Sequence, residues 1–431
     1  MTAPDETLIR GLIQQADKAA AAGQRDEAEK LLARAEAAAP AHPMVLNARA
    51  IQLLQSGDMT GGRALLEQAL RSDPRNTSLW INLATALRAL ELRDEEEQAL
   101  QSLLKLEPRH LLALLQKAEL LELRGKPRAA AAVFHNALQT LPPGTRLPQS
   151  LREKIAHAFE SVRKNDLALE TQISSAVSGV RAAHPDPARG RVEHGLAALL
   201  GKRRIYPPQP SFLHVPMLPS WEFYPREQFD WLAELEAATP SIRDECQRVL
   251  RQDAGLEPYI TRPEGSPLDQ WAELNHSRKW SVFYLWRDGV RVEAHTLRCP
   301  ITAALLARLP MSTVPGYSPT AFFSILEPGA HIPAHCGATN SRLIVHLPLV
   351  VPPKSRFRVG SETREWREGE AWVFDDTIEH EAWNESDKLR AILIFDVWHP
   401  SLNAAERELI HAAVPAIKDY YRGEMSISGS E

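Results

Sequence analysis

The sequence has few cysteines and no long apolar runs. Its three cysteines, Cys246, Cys299 and Cys336, are an odd number and lie far apart, whereas disulfide-stabilised secreted domains use closely spaced pairs. We therefore predict reduced thiols in a cytoplasmic protein. The first residues carry an acid before any base and no apolar segment, which is not the pattern of a signal peptide. No later run approaches the ~18 apolar residues of a membrane-spanning helix, so we expect a soluble protein.

A strong excess of one charge is also missing. The formal net charge is −5 and the isoelectric point is near 6.3, so the chain lacks the basic field that nucleic-acid binding requires. At 431 residues the chain is too long for a single hydrophobic core. Two or three domains are expected.

What the sequence does have is a 34-residue period in its first third. Four prolines recur at this interval, each with an alanine 24 residues before it and a large apolar residue eight residues before it. These positions are Pro40, Pro74, Pro108 and Pro142; Ala16, Ala50, Ala84 and Ala118; and Leu32, Leu66, Leu100 and Phe134. A small residue lets two helices approach closely, a large one fills the groove between hairpins, and a proline ends the second helix.

This pattern resembles the tetratricopeptide repeat, with four copies over residues 7–142. A plain helical bundle with accidental spacing is the alternative. The resemblance implies an α-solenoid whose concave face binds a peptide or another protein and does no chemistry itself. Residues 143–204 are predicted to hold a further helix pair, which seals the last repeat, and a linker. Pro207, Pro208 and Pro210 favour an extended linker with few packing signals.

Beyond the linker the composition becomes that of a β domain. Nine of the ten tryptophans lie in this part of the chain, and short apolar runs between residues 343 and 395 are separated by turn-forming and charged residues. This spacing predicts a small β-barrel or sandwich within residues 205–400. Residues 279–287 are predicted to be a strand with alternating faces. Residues 401–431 are predicted to be a C-terminal helix and tail.

Two histidines, His335 and His380, lie at the ends of these apolar runs. Imidazole is the commonest ligand of divalent transition metals, and two histidines on different strands converge inside a barrel if both face inward. In the usual non-haem iron site the first histidine begins a His-x-Asp pair, but Gly337 stands at the Asp position here. On residue types alone, a metal site and ordinary strand histidines both remain open.

The surrounding residues resemble the aspartyl/asparaginyl β-hydroxylase family of 2-oxoglutarate-dependent oxygenases, in which two histidines hold the metal and a glycine replaces the carboxylate. The likeness is carried, in order, by His335–Asn340, Arg342, His346–Leu347, Phe374–Asp376, Glu379–Glu381, Arg390 and Phe395–Pro400. It implies a double-stranded β-helix, or jelly roll. The predicted fold is therefore a multidomain α plus β chain, with an N-terminal TPR-type α-solenoid before a jelly-roll oxygenase domain.

The resemblance also implies Fe(II), 2-oxoglutarate as cosubstrate, and dioxygen. His335 and His380 would hold the metal, leaving room for two oxygens of 2-oxoglutarate and for dioxygen. Arg390 would pair with the far carboxylate of 2-oxoglutarate, because a planar guanidinium binds a carboxylate bidentately. These three residues are the predicted catalytic set.

Three further residues are predicted to contact the cosubstrate. By the same likeness Ser324 and His346 would help to hold 2-oxoglutarate, and Arg342 would lie near an acidic group of cosubstrate or substrate. Arg342 and His346 are four residues apart on a predicted strand and therefore share one face.

Other conspicuous polar residues near the motif are predicted to be structural. Asp375 and Asp376 would cap a turn, although Asp375 could also orient a ligand histidine. His331 and His399 are expected to lie outside the metal site.

The resemblance implies hydroxylation of an unactivated carbon, first of all the β-carbon of Asp or Asn in a polypeptide that the repeats bind. A lipid or small molecule is an alternative substrate. A TPR scaffold with a vestigial barrel is an alternative function. Halogenation is a third possibility, since a small residue at the carboxylate position can leave room for chloride.

Overall fold

The computed structural model describes residues 6–142, 144–184 and 190–421. They form two compact units that divide between Arg189 and Gly190. The described helices of the first unit are α1 (Glu6–Ala21), α2 (Arg25–Ala38), α3 (Pro43–Ser56), α4 (Met59–Ser72), α5 (Thr77–Ala89), α6 (Arg93–Leu106), α7 (Leu111–Leu123), α8 (Pro127–Leu138) and α9 (Gln149–Ala183).

Helices α1–α8 form four successive hairpins, the α-solenoid that the 34-residue period predicts. The repeated alanines and large apolar residues are buried in their hydrophobic cores. Pro40, Pro74, Pro108 and Pro142 each follow the second helix of a hairpin. Because each hairpin buries its apolar face against the next one, the array forms a continuous core.

The prediction that a helix pair seals the last repeat was wrong. The chain instead forms the single 35-residue helix α9, because it offers no proline to end a helix between Gln149 and Ala183. Ile155 and Ala158 of α9 are buried in the core that includes α8, so the first turns of this one helix cover the last hairpin. Several of its later apolar residues, Leu167 and Val180 among them, are exposed.

The described part of the second unit combines helices with two antiparallel sheets. Its helices are α10 (Gly190–Leu199), α11 (Leu232–Ala237), α12 (Thr239–Gln252), α13 (Glu293–Thr296), α14 (Pro300–Leu306) and α15 (Ala404–Tyr421). Its strands are β1 (Glu257–Pro258), β2 (Trp280–Arg287), β3 (Val290–Arg291), β4 (Ala321–Leu326), β5 (His331–His335), β6 (Arg342–Val350), β7 (Ser355–Val359), β8 (Glu362–Glu365), β9 (Trp372–Phe374), β10 (His380–Asn384) and β11 (Arg390–Trp398). The predicted tail after Tyr421 lies outside the described residues.

The strand order is that of a jelly roll. The larger sheet runs β1-β2-β4-β11-β6-β9, with β3 beside β2, and the smaller sheet runs β5-β10-β7-β8. Strands from β4 onward alternate between the two sheets, apart from the hairpin β7–β8. One hydrophobic core lies between the sheets and contains, for example, Ile392 of the larger sheet and Phe357 of the smaller one.

A second core covers the outer face of the larger sheet, where Ile242 and Val249 of α12 belong to one buried cluster with Val345 and Phe395. Residues 279–287 were predicted to be a strand with alternating faces, and β2 confirms this: Phe283 and Leu285 belong to the cluster on the outer face, whereas Val282 and Tyr284 belong to another cluster. Because both faces of the sheet are covered, Trp280–Trp286 is buried at every position.

The proline-rich segment before the barrel is not a free linker. Arg203 forms an ion pair with Glu222, and the backbone carbonyl of Arg204 accepts a hydrogen bond from Ser361 Oγ at 2.6 Å. Farther along, Gln209 N donates to Thr377 O at 2.7 Å. The prediction of few packing interactions was therefore wrong, because extended backbone can pair with loops of the barrel even where its side chains give no signal.

Two absences predicted from the sequence can be checked in the described part of the chain. None of its helices is both long and apolar enough to cross a membrane. Cys246, Cys299 and Cys336 form no disulfide, and Cys246 and Cys299 are buried.

Candidate active site between the two sheets

A cavity of about 460 Å³ lies between the two sheets of the second unit. This is the size of a small-molecule site. All six residues predicted to form the site line it: Ser324, His335, Arg342, His346, His380 and Arg390. The fold therefore brings together side chains that are up to 66 residues apart in the sequence.

His335 and His380 lie directly opposite each other on the antiparallel strands β5 and β10. Their ring centroids are 4.1 Å apart. Each Nδ1 lies within hydrogen-bond distance of the carbonyl oxygen two residues earlier, at 2.8 Å from Pro333 O and 3.0 Å from Ile378 O. An Nδ1–H that donates to a carbonyl leaves the lone pair on Nε2, and no described residue engages either Nε2.

The protonation state of this pair suits a metal. Burial lowers the pKa of His335 to about 4, and burial together with the neighbouring His335 lowers the pKa of His380. Both rings are thus neutral near pH 7, as metal binding requires. Among the described residues no group of three His, Cys, Asp or Glu side chains could hold a metal, so two histidines are what this site offers. Neutral, convergent imidazoles fit a divalent transition metal.

Gly337 is fixed by a neighbour from another loop. A Cβ added at Gly337 would overlap the carboxylate of Asp376, and Gly337 N donates to Asp376 O at 2.7 Å. Burial raises the pKa of the Asp376 carboxyl to about 7. The space into which a side chain at position 337 would extend is already taken.

Arg390 is the most unusual charge in the cavity. It is 1% exposed, and its guanidinium has no carboxylate partner in the described part of the chain. Its hydrogen bonds are long ones to Ser324 O and Oγ at 3.4 and 3.5 Å, and it lies 4.8 Å from the ring centroid of Trp366. Burial lowers the pKa of Arg390 to about 9. A buried cation without a counter-ion is costly, so this arrangement fits a site for an anionic ligand group.

Ser324 and His346 lie beside this guanidinium. Ser324 Oγ accepts a hydrogen bond from Trp280 Nε1 at 3.0 Å and is fully buried. The buried Nδ1 of His346 has no partner among the described residues. Burial and then the charge of Arg390 lower the pKa of His346, which keeps this ring neutral. Both side chains can therefore offer polar atoms to a ligand held by Arg390.

Arg342 lies in the cavity as predicted, but its guanidinium already has a carboxylate partner. Arg342 lines the cavity and shares a strand face with His346, but it forms a buried ion pair with Asp396. A guanidinium that is already neutralised by a carboxylate is a weak anchor for a second acid. Arg342 and Asp396 together form a neutral polar part of the cavity wall.

Sequence reasoning missed two cavity residues, Asp376 and Trp366. Asp376 had been assigned to a turn, yet its carboxylate faces Gly337. The order of residues around it could have indicated this, because Asp376 belongs to the run that carries the family likeness. No local signal identifies Trp366, which contacts Arg390 across the sheets.

The remaining predictions for nearby residues agree with the structure. Asp375 caps the turn by accepting from Thr377 N at 3.0 Å and Thr377 Oγ1 at 2.6 Å, and within the described residues it forms no hydrogen bond with His335 or His380. His331 stacks on Trp383 outside the cavity, at 5.2 Å between ring centroids. His399 is buried against Tyr224.

Residues 236–400 match the family model described as aspartyl/asparaginyl beta-hydroxylase. The ornithine lipid ester-linked acyl 2-hydroxylase of Rhizobium tropici is 38% identical over 180 residues, which are 41% of this chain and 60% of that protein. Human aspartyl/asparaginyl beta-hydroxylase is 26% identical over 357 residues, 83% of this chain. The chain covers only 43% of the human protein, so it spans about half the length of these two relatives.

Among solved structures, a thermophilic TPR protein of Thermus thermophilus is similar over 44% of this chain and 99% of its own length. Its sequence identity is 20% and its TM-score is 0.32. The family match includes all six predicted site residues, which line the cavity. Residues 236–400 thus match the aspartyl/asparaginyl β-hydroxylase family model, in a chain whose helices α1–α8 form an α-solenoid.

Proposed function

We propose that the protein is an Fe(II)- and 2-oxoglutarate-dependent oxygenase that hydroxylates an unactivated carbon. One observation carries the proposal: the convergent, neutral His335–His380 pair and the unpaired guanidinium of Arg390 line the same cavity. A metal needs the first feature, and the distal carboxylate of a dicarboxylate cosubstrate needs the second.

The lining side chains would have two roles, binding the metal and binding the cosubstrate. Nε2 of His335 and Nε2 of His380 would bind Fe(II), and their Nδ1 hydrogen bonds fix the ring orientations. Arg390, with Ser324 and His346 beside it, would hold the far carboxylate of 2-oxoglutarate. When bound, iron and 2-oxoglutarate supply the oxidation: 2-oxoglutarate and dioxygen give succinate and carbon dioxide, and the second oxygen atom enters the substrate C–H bond. The protein contributes position and exclusion of water.

The structure favours this function over the two other readings. A vestigial scaffold would have no use for a buried arginine without a counter-ion, which is costly to maintain. Halogenation needs room for chloride near Gly337, but the Asp376 carboxylate fills that space and would repel an anion when ionised. Both observations support hydroxylation.

For the substrate, the first candidate is the β-carbon of Asp or Asn in a polypeptide, which is what the name of the human relative states for that protein. The repeats would then hold the polypeptide through their concave face. Pull-down of cell-extract proteins by the isolated helical half, followed by mass spectrometry for an added oxygen, would test this delivery. Equal hydroxylation of the same target by the second unit alone would contradict it.

A second candidate is an acyl chain, and one feature of the cavity favours it. Ile344 and Ile394 lie on the inner face of the larger sheet yet remain only half-buried, because they face the cavity together with Tyr259. Exposed apolar walls favour an apolar ligand. Arg342, two residues before Ile344 on the same strand, is already paired with Asp396.

The two substrates can be separated with the full-length enzyme. Peptides containing Asp or Asn and a monoacylated amino acid would be compared for stimulation of succinate release and for a product heavier by one oxygen. Ile394→Lys would place a cation in the apolar wall. If the acyl chain is the substrate, this variant should lower the stimulation of succinate release by the monoacylated amino acid and leave the response to peptides unchanged.

The reaction itself is tested by anaerobic binding and by turnover. The purified chain should bind Fe(II) together with 2-oxoglutarate and release succinate slowly without substrate. His335→Ala and His380→Ala should abolish metal-dependent succinate formation while keeping the fold. His331→Ala is the matched control, since His331 lies on the same strand as His335 but outside the cavity. Full turnover by either ligand variant would refute the two-histidine site.

A further inference from the structure

A strap of extended chain, residues 209–215, runs along the mouth of the cavity. It lies outside the segment that matches the family model, which begins at residue 236. Ser211 and Phe212 line the cavity, and the Phe212 ring is 5.6 Å from that of Tyr317. The strap is therefore part of the site's wall, although it belongs to the region that the sequence marked as a linker.

The strap is attached mainly through its backbone. Ser211 N donates to Gly337 O at 3.1 Å, and the amides of Phe212 and Leu213 both donate to Ala338 O, at 2.9 and 3.1 Å. Leu213 also forms a parallel bridge with Thr339. Through these bonds the strap pairs with the loop that directly follows His335.

The side chain of Asn340 completes this pairing at Val215. Its Oδ1 accepts from Val215 N at 2.8 Å, and its Nδ2 donates to Val215 O at 2.8 Å. Asn340 is buried, so both hydrogen bonds are protected from water. One asparagine side chain thus satisfies both backbone groups of a strap residue 125 positions away.

The other end of the strap reaches the loop that precedes His380. Gln209 N donates to Thr377 O at 2.7 Å, three residues before His380. The two loops are also joined directly, since Gly337 N donates to Asp376 O at 2.7 Å. The strap therefore bridges the segment after His335 and the segment before His380.

Side chains hold the strap from the opposite side. Phe212, Leu213 and Val215 pack against a cluster that contains Ile410 and Val414 of α15. The strap is thus held between the C-terminal helix and the two loops. Because the strap is anchored on both sides, it can fix the distance between the two loops as well as cover them.

We propose that the strap is a positioning element for the metal site: it holds the two loops so that Nε2 of His335 and Nε2 of His380 converge. This inference rests on the proposed metal site. A two-ligand site is especially sensitive to such support, since a small displacement of one imidazole removes half of the protein's ligand set. In this role the strap acts through the two loops and not by contacting the metal.

The test uses the full-length chain carrying Asn340→Ala, which removes both hydrogen bonds to Val215. Mn(II) affinity in the presence of 2-oxoglutarate would be measured by electron paramagnetic resonance of the unbound ion. Amide hydrogen exchange of the metal-free chain would be followed in residues 336–341 and 375–380. We expect at least tenfold weaker Mn(II) binding and faster exchange in both loops.

Glu245→Ala is the control for general destabilisation. Glu245 is buried on α12 and accepts from Ile301 N and Thr302 N at 3.0 and 2.9 Å, so its loss also removes buried hydrogen bonds, but against α14. This variant should lower the unfolding temperature while keeping the Mn(II) affinity of the wild type.

Ser211→Pro provides a second test of the strap and replaces Asn340→Ala if that variant does not fold. It removes the N–H that donates to Gly337 O, and the Ser211 side chain is exposed. Wild-type Mn(II) affinity or wild-type loop exchange in the folded strap variant would overturn the proposal. Failure of the wild-type chain to bind Mn(II) would instead overturn the proposed function.

Discussion

Gly337 packs directly against the Asp376 carboxylate, and a side chain at position 337 would overlap that carboxylate unless Asp376 moved. An Asp at position 337, as in a His-x-Asp motif, therefore requires the Asp376 side chain to shift. In the proposed metal site this packing would oppose a carboxylate ligand at position 337 and favour the two histidines alone.

The first prediction uses this relationship. Gly337→Asp should weaken Mn(II) binding and destabilise the second unit, because two carboxylates would compete for one buried space. The double variant Gly337→Asp/Asp376→Gly moves the carboxylate to the other loop and removes the overlap. It should recover most of the lost unfolding temperature. Wild-type stability of the single variant, measured by thermal unfolding, would show that the overlap is easily relieved.

The second prediction concerns Arg390. Arg390→Met should raise the 2-oxoglutarate concentration needed for half-maximal uncoupled turnover at least about thirtyfold, since truncating one partner of a buried charge pair costs about 2–5 kcal/mol. Mn(II) binding without cosubstrate should change little. Arg390→Lys keeps the charge but loses the bidentate geometry. Its 2-oxoglutarate requirement should therefore lie between those of the wild type and Arg390→Met.

Arg287→Met is the control for this measurement, because Arg287 also lines the cavity but is half-exposed and paired with Glu257. An unchanged 2-oxoglutarate requirement in Arg390→Met would move the anion site away from Arg390.

Much of the fold could be predicted because its signals are local or periodic. Pro40 and Pro74 mark helix ends because proline disrupts a helix at its own position, and the 34-residue period then defines the solenoid. In the barrel, the apolar runs predict strands, and the family likeness carried by His335, His380 and Arg390 predicts that these residues share one site, as the cavity lining shows.

What the sequence could not show depends on distant partners. The role of Asp376 is set by Gly337, nearly forty residues earlier, and Arg342 is neutralised by Asp396, 54 residues later. The single helix α9 was missed because apolar residues at helical spacing do not show whether one helix continues or the chain turns back into a second helix. The strap was missed because extended backbone carries no side-chain signal for its hydrogen-bond partners.

The third prediction tests the Arg342–Asp396 ion pair. Arg342→Met leaves Asp396, which is 1% exposed, without its countercharge and should lower the free energy of unfolding by about 3–5 kcal/mol. The double variant Arg342→Met/Asp396→Leu removes both charges and should cost less. Urea unfolding followed by tryptophan fluorescence would measure this. A double variant as unstable as the single one would mean that the pair does more than neutralise charge.

The fourth prediction concerns pH and His399. Burial lowers the pKa of His399, opposed by Pro219 O and by the charge of Asp375; Tyr224 Oη also faces the ring at 2.9 Å. The folded state therefore favours the neutral ring. Its contribution to stability is fully present above the unfolded pKa of about 6.5 and is lost as pH falls through the folded value. Between pH 7.5 and 5, His399→Gln should lose less unfolding free energy than the wild type, and equal losses would contradict this.

The last prediction places the start of an independent second unit at Gly190 and not at Ile205. A chain that begins at Ile205 lacks Arg203, which pairs with Glu222, and Arg204, whose carbonyl accepts from Ser361 Oγ. Glu222 is only 17% exposed, so removing the countercharge of Arg203 from its Oε2 should cost about 1–3 kcal/mol. The chain from Gly190 should match the full-length protein in Mn(II) affinity and tryptophan-detected unfolding, whereas the chain from Ile205 should unfold at a lower temperature. Glu222→Gln in the longer chain is the control, because it removes the charge but keeps an acceptor for Ser361 N, and it should lose less stability than the truncation. Equal unfolding temperatures for the two truncated chains would mean that residues 190–204 add nothing to the barrel and that the boundary predicted from the prolines was adequate.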